Sequence, residues 1–183
     1  MVWGGQVDPP IPDNGTDNSL IDYIESNEIE SYEEFISVIQ ELSPESVDTD
    51  ENLDSITSFH IDIDYDCMLV SVTTISEVVS NRATGASSSA NKSYYTSSGY
   101  KIFTVSVNGS FRYSSGSCST TSANGSYNRN TLSSWTSTPL ITSGNINAKI
   151  AYARISGTAT SGSESVYYSL TLTCNDSGSF TSY

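Results

Sequence analysis

From Ser58 onward the apolar residues of this chain recur at every second position, and that period limits what it can fold into. Phe59, Ile61, Ile63, Tyr65 and Cys67 fall on one side of an extended strand, and His60, Asp62, Asp64 and Asp66 on the other. Near the far end Val166, Tyr168, Leu170, Leu172 and Cys174 alternate with Ser165, Tyr167, Ser169, Thr171 and Thr173. Between these segments, clusters of Gly, Ser and Asn separate further short strands. The pattern predicts a mainly β chain, an antiparallel β-sandwich over 56–183. Apolar character continues to about Val79, a loop is expected over 80–92, and strands are expected near 117–122, 126–130, 139–143, 145–160 and 165–174. Within 145–160 the apolar phase slips, which predicts a bulge.

Asn108-Gly109 is a strong hairpin signal. A two-residue turn there would set Ser106 opposite Phe111 and Val105 opposite Arg112, mixing polar with apolar on each face. Read as one strand over 100–113, Phe103, Val105, Val107, Phe111 and Tyr113 keep a single phase. The single strand is therefore expected, with a bulge or a close backbone approach at Gly109.

Ahead of Ser58 the period is different. Ser19 precedes Leu20, Ile21 and Ile24, which predicts a short helix over 19–26. Ser31 and Glu34 form a capping box before Phe35, Ile36, Ile39 and Leu42, which predicts an amphipathic helix over 31–42 that Pro44 ends. Residues 1–18, with three of the five Pro, read as an arm, and 43–55 as a linker. Charge follows the same division. Of the 21 Asp and Glu, all but Glu77, Glu164 and Asp176 lie at or before Asp66, and all 7 Lys and Arg lie between Arg82 and Arg154. Residues 1–55 are thus expected to be an acidic helical extension, and the β-part from residue 58 is expected to stand without the first 50 residues.

An isoelectric point near 4.1 argues against nucleic acid as a partner. The sequence contains no run of about 18 apolar residues, so no membrane span is expected, and Met1-Val2-Trp3-Gly4-Gly5 does not read as a secretion signal. Few Lys and abundant Ser, Thr, Asn and Tyr favour an exported protein. The three cysteines, Cys67, Cys118 and Cys174, leave three single-disulfide pairings open.

Four features invite a functional reading. Asp62, Asp64 and Asp66 on one strand face, about 7 Å apart, would repel one another, and a hard cation such as Ca²⁺ would relieve that. The ordinary reading is a solvated strand face that discourages edge pairing. His60 alternates with these carboxylates and reads as an exposed strand residue. Ser89-x-x-Lys92 and Ser98-x-x-Lys101 match a serine–lysine pattern of penicillin-recognising enzymes, but neither of its partner motifs occurs. Tyr94, Tyr95, Tyr127, Trp135 and Tyr167 could supply a carbohydrate-stacking platform, and they suit a sandwich core equally well.

The run GYKIFTVSVNGSFRYSSGSCSTTS, followed by a Tyr/Trp segment and a closing SLTLTCNDSG, resembles small exported Ser/Thr-rich β-sandwich domains of Gram-positive bacteria over about 99–183. In that group a Val/Thr strand leads into an aromatic-Gly turn and a Cys, and a late strand carries a second Cys. The resemblance implies export, a β-sandwich and a Cys118–Cys174 disulfide, and the inward phase of Cys67 on its strand predicts a buried thiol there. It brings no catalytic residues. Together these readings predict a non-catalytic secreted or cell-surface binding module with an unknown protein or glycan ligand and no required cofactor. The alternative is a toxin-like or bacteriocin-like β-domain masked by an acidic pro-segment.

Overall fold

The structure, a computed structural model, describes residues 19–47, 55–82 and 85–183, without the side chains of 77–82. The expected arm at 1–18 and most of the expected linker at 43–55 lie outside the described residues. Two helices come first, α1 (Leu20–Ser26) and α2 (Tyr32–Leu42), then a 3₁₀ turn (Pro44–Ser46). Each helix starts on a serine cap. Ser19 Oγ accepts from the Asp22 N–H at 3.0 Å, and Ser31 Oγ from the Glu34 N–H at 3.1 Å. The Glu34 carboxylate reaches back to the Glu30 N–H, one residue before the cap.

Among the described residues nine strands follow: β1 (Ile56–Asp64), β2 (Leu69–Arg82), β3 (Gly85–Thr96), β4 (Lys101–Ser114), β5 (Ser117–Arg129), β6 (Leu140–Asn147), β7 (Ile150–Ser161), β8 (Glu164–Asn175) and β9 (Phe180–Ser182). They form two antiparallel meanders, a five-stranded sheet β1-β2-β3-β4-β5 and a four-stranded sheet β6-β7-β8-β9. The sheets pack as a sandwich around Phe103, Val105, Val107 and Phe111 of β4 and Ala153, Ile155, Tyr168, Leu170 and Leu172 of β7 and β8.

The long strand over 100–113 is present as β4. The close approach at Gly109 is also present, since a Cβ there would sit 2.5 Å from the Phe111 ring and 3.1 Å from Ala153 Cβ. Three expectations are corrected. Most of the expected loop at 80–92 belongs to β3, a central strand in which Ala90 and Ser88 are small enough to pack under the opposite sheet. The strand expected over 145–160 is instead the end of β6, a turn and β7. The expected bulge is present as the register shift between Asn145 and Asn147, next to that turn, with Ile146 exposed on β6 and Ile155 buried on β7. Finally, β1 stops at Asp64, so Tyr65 and Cys67 belong to a turn rather than to the strand face.

The helices form a second apolar cluster on the outer face of the five-stranded sheet. Leu20, Phe35 and Ile39 are fully buried there against Val70, Val72 and Tyr95, with Phe59, Ile61 and Ile63 alongside. Tyr32, Phe35, Val38 and Ile39 are the buried positions of α2, while Ile36 and Leu42 sit at its margin. Among the described residues no helix is long and apolar enough to cross a membrane.

Candidate functional site

Period two sends neighbouring residues to opposite faces, and this disperses the aromatic residues proposed as a platform. Tyr94 points between the sheets and stacks on Phe103 at 4.5 Å. Tyr127 and Trp135 join the same cluster, 5.0 and 6.1 Å from Phe103. Tyr95 points the other way, under the helices, edge-on to Phe35 at 5.3 Å. Of the five only Tyr167 is exposed, on the outer face of β8. The platform expectation is therefore corrected: four of these rings are core or half-buried, in two separate clusters. Burial pushes the Tyr94 phenol well up and the Tyr127 phenol up to about 12. Among the described residues the buried Tyr127 hydroxyl has no hydrogen-bond partner, whereas Tyr168 shares a 2.7 Å bond with Ser137.

The three aspartates do not converge either. Asp62 lies 3.0 Å from His60 Nε2 and 3.7 Å from Lys92 Nζ, so its charge is already met within the sheet. Asp64 Oδ1 accepts from the Asp66 and Cys67 N–H groups and so closes the Tyr65–Met68 turn, in which Met68 adopts φ 52°. Asp66 sits in that turn, off the strand face. Among the described residues no group of three or more His, Cys, Asp or Glu is placed to hold a metal ion.

Cys67 is exposed in the same turn, not buried. Partial desolvation, then the carboxylates of Asp64, Asp66 and Glu164, push its thiol up and leave little thiolate at neutral pH. Cys118 and Cys174 both lie in the cluster between the sheets, and no disulfide joins them in this structure.

A surface that the sequence reading missed stands out once the register is known. On the outer face of β3, β4 and β5, side chains align in rows across the three strands. The rows are Ser93–Thr104–Asn128, Asn91–Ser106–Ser126, Ser89–Asn108–Asn124 and Ser87–Ser110–Ser122. Every position is Ser, Thr or Asn. The spacing is about 4.8 Å between strands and about 7 Å along them. Some hydroxyls are already paired, Ser87 with Ser110 and Ser93 with Thr104, each at 2.9 Å. Asn108 and Asn124, directly opposite each other, are exposed and edge a shallow depression of about 130 Å³. A depression of that size takes a single polar group rather than engulfing a ligand. The signal in the sequence was the alternation itself, with polar residues at every other position of 87–93, 104–110 and 122–128.

No family model, no curated protein and no solved structure matches this chain.

Proposed function

We propose that this protein is a non-catalytic binding module, secreted or displayed at a cell surface, that holds neutral polysaccharide on the Ser/Thr/Asn face of its five-stranded sheet. The observation that carries the reading is the four-row array, a surface of donors and acceptors without a single charge in a chain of net charge −14. Hydroxyl and carboxamide groups each donate and accept, as sugar hydroxyls do, so a periodic glycan can exchange its water bonds for bonds to this face. An apolar partner would leave these groups unpaired, and a nucleic acid would meet an acidic molecule.

Each such bond contributes only about 0.5–1.5 kcal/mol net. With no exposed ring in the array, a single contact is weak and binding depends on several sugar units or several copies. The docked helices support a head that stays with the mature protein, because its removal would uncover Val70, Val72 and Tyr95. That favours the binding module over a precursor with a cleavable mask.

The test is binding to an array of neutral and anionic polysaccharides with the protein presented multivalently, beside Asn108→Ala/Asn124→Ala. Retention on neutral glycans that the double variant loses at least tenfold is expected. Failure to bind any neutral glycan, or equal binding by the variant, would refute the reading.

A further inference from the structure

The outer face of the four-stranded sheet carries a guanidinium near its centre. The register places Thr142, Arg154 and Thr171 side by side on β6, β7 and β8, and Tyr183 extends this row by pairing with Thr171. The next row is Gly144, Tyr152, Thr173 and Thr181. Period two turns both rows away from the core, because Ala153, Ile155, Leu170 and Leu172 between them are buried.

Arg154 is exposed, yet it is held in place. Its Nε–H donates to Thr171 Oγ1 at 2.9 Å, and Thr171 is only 2% exposed. Among the described residues this is the one hydrogen bond of the Arg154 side chain, and no carboxylate pairs with it. That is notable in a chain with 21 Asp and Glu against 7 Lys and Arg. The bond fixes one side of a planar group and leaves the two terminal NH₂ groups as a parallel pair of donors, the geometry that a carboxylate accepts.

Two rings flank this fork. Tyr152 stands about 7 Å along β7, and Tyr183 stands in the same row as Arg154, about 10 Å across. The Tyr152 ring lies over Gly144, where a Cβ would come within 3.4 Å of it, so the bare backbone of β6 seats the ring on the sheet. Tyr183 is 64% exposed. The local charge also suits an anion. From Leu140 to Tyr183 the only acids are Glu164 and Asp176, balanced by Lys149 and Arg154, and the other acids of the chain precede β3. Glu164 and Asp176 lie five or more residues along β8 from Thr171, roughly 15 Å or more, beyond the Debye length of about 8 Å at physiological salt.

We propose that Arg154, Tyr152 and Tyr183 bind a carboxylated pyranose, a uronic or sialic acid unit of a glycan. The carboxylate takes the Arg154 fork, the sugar ring packs on a tyrosine, and the Thr142 and Ser156 hydroxyls lie within the same patch. The site is on the opposite sheet from the Ser/Thr/Asn array and does not depend on it.

The test is titration of the full chain with oligogalacturonate, a hyaluronan oligosaccharide and sialyllactose, followed by amide NMR shifts. At least one should move the Thr142, Tyr152 and Thr171 amides, and its methyl ester should bind at least tenfold more weakly. Arg154→Lys keeps the charge and loses the fork, so it should weaken binding at least fivefold. Tyr183→Ala should weaken it and Tyr183→Phe should not. Asn108→Ala/Asn124→Ala should bind as the parent does, which separates this site from the array. No shift with any of the three ligands overturns the proposal. So does equal binding of acid and ester, equal binding of dextran sulfate, or shifts confined to β3, β4 and β5. If Arg154→Lys does not fold, the acid–ester comparison on the unsubstituted chain decides.

Discussion

The two faces of the five-stranded sheet are covered on different terms. The inner face is roofed by β7 and β8, and its rings, from Tyr94 through Phe103 to Tyr127, pack into one continuous cluster. The outer face is covered only where β1, β2 and the end of β3 present Phe59, Ile61, Val70, Val72 and Tyr95 to the helices. From there to β5 it carries Ser, Thr and Asn; Ser93, next to the covered half, is buried, and Asn108, Ser122, Asn124 and Asn128 are exposed. Backbone geometry is the same throughout, so what decides coverage is the side chain at alternate positions. Apolar surface drives burial at about 25 cal/mol per Å², and hydroxyl or amide surface does not. The contrast teaches that a helix of eleven residues, marginal alone, is held by the apolar half of a face whose other half stays open.

The largest expected effect breaks the covered outer half. Phe35→Ala removes a fully buried ring that touches both Tyr32 and Tyr95. It should cost about 3–5 kcal/mol in urea unfolding. On the same packing argument, a variant lacking residues 1–55 should lose its cooperative transition, against the expectation from the alternating apolar faces that the β-part stands alone. A cooperative melt of that variant would show that the helices only decorate the sheet.

Next comes a staple through the inner face. We propose that Cys118 and Cys174 form a disulfide under oxidising conditions, closing a loop worth about 4 kcal/mol on the chain-entropy account. The oxidised protein should melt higher than the reduced one. Non-reducing peptide mapping that links Cys67 to either partner would sink this pairing.

A smaller effect concerns Tyr127 in the inner cluster. Its hydroxyl has no partner among the described residues, so Tyr127→Phe should be neutral or stabilising by about 1 kcal/mol. The fold holds this phenol neutral up to about pH 12 against the ordinary value of 10.0, so the unfolded chain loses its proton first as pH rises. Stability is then complete below pH 10.0 and falls as pH climbs towards 12. Tyr94 and Tyr168 are pushed up by burial as well and add to the fall. Denaturant melts from pH 8 to pH 12 should show this slope, and it should be shallower in Tyr127→Phe.

The smallest effect sharpens the contrast from the open half. Asn108→Ala and Ser106→Ala should each change stability by no more than about 0.5 kcal/mol. A cost above about 2 kcal/mol would mean that the array is a structural network and not a free surface.

The class of fold was legible because β1, β4 and β8 alternate cleanly and because Ser31 and Glu34 announce α2. β3 was not, because Ser87, Ser88, Ser89, Ala90 and Asn91 have loop composition and are a strand only through their partners on β2 and β4. The polar array was hidden for the same reason, since residues 11 to 35 positions apart come together only through register. The aromatic candidates failed on a point the sequence does hold. Tyr94 and Tyr95 are neighbours in an extended strand and so point in opposite directions, which no single platform can use.

The meander order also sets a timetable. Within each sheet every strand pairs with its neighbours in sequence, and the five-stranded sheet is complete at Arg129, before any residue of β6 exists. During synthesis the helices are made first and are ready to cover the outer apolar half as β1 and β2 appear. The inner face, with Phe103, Val105 and Val107, waits for about 50 further residues before its roof is available. At about 5–20 residues per second that is an interval of several seconds with a greasy sheet exposed. The head therefore covers the outer apolar surface of the nascent chain early, and the inner face is where a holding chaperone would be expected to bind.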